Sequence, residues 1–231
     1  ALDLLKEQGV QLKGDVIVES VIDEEGGGNG TMACIQRGYK ADAAIISEPT
    51  ELEVMPAHMG WLFYRIEVTG KALHSSMKWL GVNAIEKMMI LMRALQELER
   101  KWCMEKRSAI LPPPTINFGT IHGGRARNQV CEQVVLTGII RTLDPDTREF
   151  VCRRVEEIAT AVASGLGGSA KVELTRSYDP LITDTAITDV VRAVAEKQLG
   201  RENVVLESGP QLTVEDFAYS AMQRPSSFYH L

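Results

Sequence analysis

The order of hydrophobic patterns between residues 57 and 178 constrains this chain more than any other feature. Four segments show the two-residue alternation of half-buried strands, and two longer segments repeat apolar side chains at helical spacing. Their order is strand, helix, strand, strand, helix, strand, which is the ferredoxin-like unit of four strands and two helices. The strands are predicted at 61–69, 115–121, 133–143 and 170–176, and the helices at 82–102 and from Asp146 onward.

The segments on either side of this unit alternate short buried strands with helices, which is typical of an α/β domain with a mostly parallel sheet. We therefore predict an α/β fold in which one domain, formed by residues 1–56 and 179–231, carries an inserted ferredoxin-like βαββαβ domain at 57–178. In the outer domain, strands are predicted at 15–22, 43–46 and 203–206, helices at 31–37 and 185–199, and a short helix or turn at 216–223.

Charge and cysteine content exclude several classes of function. The net charge of -6 and the pI of about 5.4 argue against a nucleic-acid partner, which requires a basic face to displace counterions. The four cysteines form no C-x-x-C pair, which favours free thiols in a reducing compartment. No apolar run is long enough to span a bilayer and no signal peptide is recognisable. We expect a cytoplasmic protein with no membrane partner.

Three glutamates follow predicted strands. Glu24 and Glu25 come where the strand at 15–22 runs into a glycine-rich loop, and Glu48 leaves the strand at 43–46. Strand ends in open α/β sheets are where ligands bind, and a divalent metal is a natural way to hold neighbouring carboxylates together. The alternative is a solvated acidic loop before a helix N-terminus, which is the commoner origin of such a run.

Four motifs together resemble a known enzyme family. They are Val21–Gly27 (VIDEEGG), Ser47–Thr50 (SEPT), Gly70–Ser76 (GKALHSS) and Gly123–Asn128 (GGRARN). In this combination the chain resembles the family of acetylornithine deacetylase, aminoacylase, succinyl-diaminopimelate desuccinylase and glutamate carboxypeptidase. The resemblance implies a catalytic domain with two zinc ions, for which cobalt or manganese can substitute, and a lid domain (residues 57–178) that forms homodimers.

The resemblance implies hydrolysis of the amide bond of N-acyl amino acids or small peptides by metal-activated water. Glu24 would be the general base and acid, Glu25 a ligand of one metal, and Glu48 a ligand of the other. His74 would reach the partner subunit's active site and stabilise the oxyanion. Asn128 and Arg141 would bind the backbone and carboxylate of the substrate, a task that suits the planar guanidinium fork.

The sequence also departs from the family. The family's early histidine-x-aspartate motif and bridging aspartate would precede Ala1, and its last histidine ligand would follow Leu231. Lys78 stands where relatives often have proline, and the two halves of the chain resemble different branches. The alternative function is therefore a catalytically inactive relative or fragment that acts as a dimerisation or interaction module.

Other candidate residues have structural interpretations. For His58 a structural role is favoured over cleft lining, for His122 a turn and a place near the substrate are equally plausible, and His230 is assigned no role. Glu215 and Asp216 are expected to cap a short helix. The methionine stripe of the first lid helix is expected to form lid core; its members are Met88, Met89 and Met92.

Overall fold

The computed structural model describes residues 2–48, 53–55, 57–107, 111–206 and 215–230, so Pro49, Thr50 and Pro56 lie outside the described residues. The predicted helices and strands are present with one exception given below, and the structure adds short strands at 53–55, 57–58 and 181–182 that were not predicted. The helices are α1 (Leu2–Glu7), α2 (Asn29–Gln36), α3 (Ala84–Glu105), α4 (Pro145–Gly165), α5 (Thr185–Leu199) and α6 (Phe217–Ala221). The strands are β1 (Ala44–Glu48), β2 (Glu53–Met55), β3 (Ala57–His58), β4 (Gly60–Thr69), β5 (Thr115–Gly123), β6 (Gln133–Thr142), β7 (Ser169–Arg176), β8 (Leu181–Ile182), β9 (Val205–Leu206) and β10 (Ser226–His230).

The lid sheet has the predicted ferredoxin-like topology. Its strand order is β5-β6-β4-β7 and its three pairings are antiparallel. Strand β4 pairs along its whole length with β6, from Gly60 opposite Thr142 to Thr69 opposite Gln133. Alternate residues of β4 are buried, because only one face of the sheet is covered by helices.

The core of the lid lies between this sheet and helices α3 and α4. On α3, Met88, Leu91 and Leu95 are fully buried at helical spacing, and each buried side chain of this size contributes roughly 1.5–3 kcal/mol. The methionine prediction is only partly right. Met88 belongs to the core and Met92 packs against it, but Met89 is 64% exposed because it lies about 100° around the helix from Met88.

The second four-stranded sheet is mixed, with order β1-β10-β2-β9. The pairs β1–β10 and β2–β9 are parallel, whereas β10 and β2 are antiparallel. Its core includes Phe217, Ala218 and Phe228, with Leu181 from the returning chain.

The prediction of a strand at 15–22 is wrong. The described segment has no strand there, and Val18 and Ile22 are 73% and 78% exposed. A strand needs a neighbour that accepts and donates its backbone hydrogen bonds. Here the segment runs beside edge strand β1 across a cleft of about 380 Å³ without pairing to it, so its Val/Ile alternation is left without a ladder.

Two short crossing segments connect the lid to the mixed sheet. Strands β3 and β8 pair antiparallel, with His58 opposite Leu181. Just beyond them, Gly60 lies so close to Pro180 that a Cβ atom at residue 60 would come within 2.5 Å of the proline ring. The crossing is therefore closely packed, and it lies next to the divisions proposed after residues 56 and 178. No helix in the described ranges is long and apolar enough to cross a membrane.

Candidate functional site

The loop that carries Glu24 and Glu25 is a tight turn, here called the carboxylate loop (residues 23–28). Asp23 has φ 68°, a left-handed conformation that aspartate tolerates better than most residues. The turn is closed by the Gly28 N–H, which donates to the Asp23 carbonyl at 2.8 Å. Glu24 is half-buried and Glu25 exposed at its tip, so the two adjacent carboxylates meet different environments.

Tyr178 holds the carboxylate loop from outside. Its hydroxyl donates to the Glu24 carbonyl and accepts from the Gly27 N–H at 3.1 Å. Burial, followed by the nearby Glu24 charge, raises the pKa of the Tyr178 phenol to about 12. The phenol is therefore neutral at physiological pH and keeps the proton that it donates.

The expected capping role of Asp216 is wrong. The residue occupies the N-cap position of α6, but its side chain makes no capping hydrogen bond. Instead it is 2% exposed and accepts from the Thr31 hydroxyl at 2.7 Å. Gly28 packs against it, since a Cβ at residue 28 would lie 2.4 Å from the Asp216 Cβ. Asp216 thus joins α2, α6 and the base of the carboxylate loop, with buried Glu215 beside it.

The metal-binding interpretation depends on Glu25 and Glu48. Glu48 is the last residue of β1 and is in register with His230, and its side chain lies outside the described residues. The described side chains include no group of three or more metal-ligating residues. Carboxylate oxygens fit a hard or borderline divalent cation. Two carboxylates alone are too few ligands for a complete metal site. The assignment of Glu25 and Glu48 as metal ligands therefore stays a prediction.

His74 and Asn128 lie together at one end of the lid sheet. The Ser75 N–H donates to the Asn128 carbonyl at 2.9 Å, and the backbone of His74 forms an isolated antiparallel β-bridge with Gln129. The exposed His74 ring accepts from the Ser76 N–H at Nδ1, 3.3 Å away. A neutral ring in this arrangement carries its proton on Nε2, which leaves an outward-facing donor.

Arg141 lies at the other end of the same sheet, beside Trp61. The two residues are opposite each other in the β4–β6 register. Arg141 Nη1 and Trp61 Nε1 are both buried and have no hydrogen-bond partner among the described residues. Buried donors normally have a partner, so these two donors are candidates for binding an acceptor that the described residues do not supply. Trp61 was not predicted from sequence, because its position beside Arg141 depends on strand register.

The length of the sheet separates these two groups. From Gln133, near Asn128, to Arg141 the strand β6 rises by about 26 Å at 3.3 Å per residue. The carboxylate loop belongs to the Arg141 end, because it contacts Tyr178, whose carbonyl accepts from the Trp61 N–H at 3.4 Å. The structure therefore brings His74 to Asn128, but it does not bring either of them to Arg141 within one chain.

The remaining histidines differ in their surroundings. His58 is fully buried, its Nδ1 lies 3.2 Å from the Met59 carbonyl, and burial lowers its pKa to about 4. These features favour the structural role. His122 is exposed within β5 rather than in a turn, and it lines a cleft of about 250 Å³ with Arg125 and Glu132.

Comparison with known proteins agrees with the motifs. Residues 56–166 match the family model of the peptidase dimerisation domain. This model is named for the M20 peptidases, and an M20 peptidase is among the solved structures that the chain resembles. The chain is 37% identical over 174 residues to an N-formyl-4-amino-5-aminomethyl-2-methylpyrimidine deformylase of Halalkalibacterium halodurans, which covers 71% of this chain and 41% of that protein. It is 35% identical over 145 residues to an acetylornithine deacetylase of Vibrio cholerae, which covers 62% of this chain and 38% of that protein.

Solved structures of M20 proteins share this fold. A dinuclear metal-binding peptidase of the M20 family from Bacillus subtilis superposes with a TM-score of 0.73 at 18% identity, over 98% of this chain and 58% of that chain. An aminohydrolase from methicillin-resistant Staphylococcus aureus gives a TM-score of 0.73 at 22% identity, over 87% of this chain and 53% of that chain. The chain thus spans about half the length of the proteins it matches.

Proposed function

We propose that this chain is part of a metal-dependent hydrolase that cleaves the amide bond of N-acyl amino acids or small peptides. The observation that carries the proposal is the 37% identity to a deformylase over 71% of the chain. That relative and the acetylornithine deacetylase are both named for removing an acyl group. The family motifs at the carboxylate loop and at His74 support the same chemistry.

The complete site would hold two zinc ions, for which cobalt or manganese could substitute. Glu25 would be a ligand of one ion and Glu48 a ligand of the other. A bound metal supplies positive charge and lowers the pKa of water. Glu24 would accept a proton from that water on its carboxylate and return it to the leaving amine. Its half-buried position in the carboxylate loop, next to exposed Glu25, is compatible with two adjacent carboxylates that take different roles.

The substrate carboxylate would lie at Arg141 and Trp61. Their unpartnered donors are a charged guanidinium and a neutral indole on adjacent strands, which suit the two oxygens of one carboxylate. A Trp61→Phe variant should raise KM about tenfold for an N-acetyl amino acid. It should leave KM unchanged for the corresponding methyl ester, which lacks the charge. An equal rise in KM for both substrates would contradict this placement.

His74 and Asn128 would serve the active site of a second copy. Both lie at the Gln133 end of the sheet, and the strand from Gln133 to Arg141 rises by about 26 Å, so one lid cannot place all of these groups around one substrate. A homodimer formed through the lid would solve this problem, and the matched peptidase dimerisation domain supports it. There the His74 Nε2–H would donate to the developing oxyanion, and Asn128 would bind the substrate backbone.

The test compares Glu24→Gln with Glu19→Gln, an exposed glutamate shortly before it, in the protein expressed with any residues that flank these 231 in its gene. Zinc content, dimerisation and release of formate or acetate from N-formyl and N-acetyl amino acids are measured. We expect Glu24→Gln to bind metal and to lose activity, with Glu19→Gln unchanged. A stable dimer that neither binds metal nor hydrolyses any of these substrates would instead support the alternative, a dimerisation module.

A further inference from the structure

A short segment returns from the lid to the mixed sheet and is fixed firmly to the lid. We call residues 177–180 the return segment. Arg148, in the first turns of α4, forms a buried ion pair with Asp179 and donates from Nη1 to the Ser177 carbonyl at 3.3 Å. Pro180 packs against Gly60, where a Cβ would come within 2.5 Å. Because both sides of the segment are held by lid residues, it moves with the lid.

Tyr178 lies within this segment, but its side chain points to the other domain. Its hydroxyl bonds the Glu24 carbonyl and the Gly27 N–H, residues more than 150 positions away in sequence. The Gly27 N–H also approaches the Glu24 carbonyl at 3.4 Å, a long distance for an amide hydrogen bond. The phenol therefore closes the middle of a turn whose own hydrogen bond at that point is weak.

We propose that Tyr178 is a positioning residue that couples the placement of the lid to the orientation of Glu24, an inference that rests on the proposed function of Glu24. A side chain leaves the backbone in a direction set by its own φ and ψ. A hydroxyl that fixes the carbonyl of Glu24 and the amide of Gly27 fixes those angles. Since the hydroxyl is carried by the return segment, a shift of the lid is transmitted to the Glu24 carboxylate.

A purely space-filling role for the ring makes a different prediction, and a neighbouring tyrosine allows the two roles to be separated. Tyr219 packs edge-on against Tyr178, with ring centroids 5.8 Å apart. Tyr178→Phe keeps the ring and removes only the bridging hydroxyl. Tyr219→Phe removes a hydroxyl from the same neighbourhood and is the matched control.

The experiment measures kcat, KM and amide hydrogen exchange in the wild type and both variants. For Tyr178→Phe we expect kcat to fall roughly ten- to a hundredfold with KM nearly unchanged, because the base is misplaced while the substrate contacts at Arg141 remain. Exchange at the Gly27 amide should accelerate, while the Gly28 amide, bonded within the loop to Asp23, should keep its protection. Tyr219→Phe should change none of these quantities.

An unchanged kcat in Tyr178→Phe, or equal losses in both tyrosine variants, would overturn the inference. So would unaltered exchange at Gly27, whatever the activity. Failure of the proposed function has a separate signature, which is Glu24→Gln as active as the wild type. In that case the proposed effect of Tyr178 on catalysis is refuted together with the role of Glu24. The rate of amide hydrogen exchange at Gly27 then still tests whether the Tyr178 hydroxyl stabilises the turn.

Discussion

Acidification should destabilise this protein through His58, a fully buried imidazole at the crossing between lid and mixed sheet. Burial is the main reason that the His58 pKa falls from 6.5 to about 4, and the hydrogen bond with the Met59 carbonyl opposes the fall only in part. A buried imidazole is neutral in the folded chain and becomes protonated readily once the chain unfolds.

The sign of the effect follows from proton binding. Between pH 6.5 and about 4 the unfolded state binds a proton at His58 that the folded state does not, so the free energy of unfolding falls as the pH falls. The stabilisation is fully present above pH 6.5 and is lost by about pH 4. At 1.36 kcal/mol per pH unit the loss is about 3 kcal/mol.

Urea unfolding at several pH values between 7.5 and 4 measures this loss. His58→Gln removes the titrating group, and the variant is expected to be less stable than the wild type at pH 7.5 because the site is closely packed. The gap between the two proteins should shrink by about 3 kcal/mol as the pH approaches 4. His122→Gln, a change at an exposed histidine on β5, is the control. The difference in unfolding free energy between the wild type and this variant should be the same at every pH.

A gap that stays constant from pH 7.5 to pH 4 would refute the reasoning. It would mean that His58 is protonated in the folded state, or that water reaches the ring despite its complete burial.

Three further changes test packing and capping. Gly60→Ala should destabilise the protein by about 1–3 kcal/mol in urea unfolding, because its new methyl group meets Pro180. Asp144→Ala should lower the free energy of unfolding by about 1 kcal/mol in thermal melts, since Asp144 caps α4 through the Thr147 N–H at 2.7 Å. Arg148→Met should cost about 3 kcal/mol at pH 7, because it leaves a buried carboxylate without its cation.

Each change has a control on the same scaffold. Gly165→Ala adds a methyl group where no atom lies within 4 Å, and Asp189→Ala and Arg192→Met remove the partners of an exposed helix pair worth well under 1 kcal/mol. If the test variants lose no more stability than their controls, the close packing at the crossing, the α4 cap and the buried ion pair do not contribute to stability as proposed.

The lid was predictable because each of its elements carries its own pattern. The alternation in 61–69 and the helical spacing of Met88 and Met92 depend only on neighbours along the chain. The strand predicted at 15–22 has an equally good alternation, yet a strand also requires a hydrogen-bonded neighbour, and local sequence does not contain that information. The capping role predicted for Asp216 was wrong for a related reason. The Thr31 hydroxyl, far away in sequence, donates to its carboxylate instead.

The candidate site was predictable only as a set of motifs. The sequence placed Glu24 in a glycine-rich turn, and the resemblance to the family implied a carboxylate-binding role for Arg141, which stays a prediction. The neighbouring indole of Trp61, the phenol of Tyr178 and the distance between His74 and Arg141 depend on register and tertiary contacts. The family motifs therefore suggest the chemistry, whereas the relative positions of these groups depend on the fold.

The position of His74 and Arg141 at opposite ends of the lid sheet also bears on mixtures of defective subunits. Suppose that each active site takes Glu24 from one subunit and His74 from the other. When a protomer lacking Glu24 pairs with a protomer lacking His74, both defects fall in the same active site. Their second site then contains both intact residues. Two alleles that are each inactive alone would restore up to about a quarter of the activity when expressed together, because about half of randomly paired dimers are mixed and each mixed dimer has one intact site. This is intragenic complementation. Two different defects at the Glu24 and Arg141 end would restore none if both residues serve the same subunit's site.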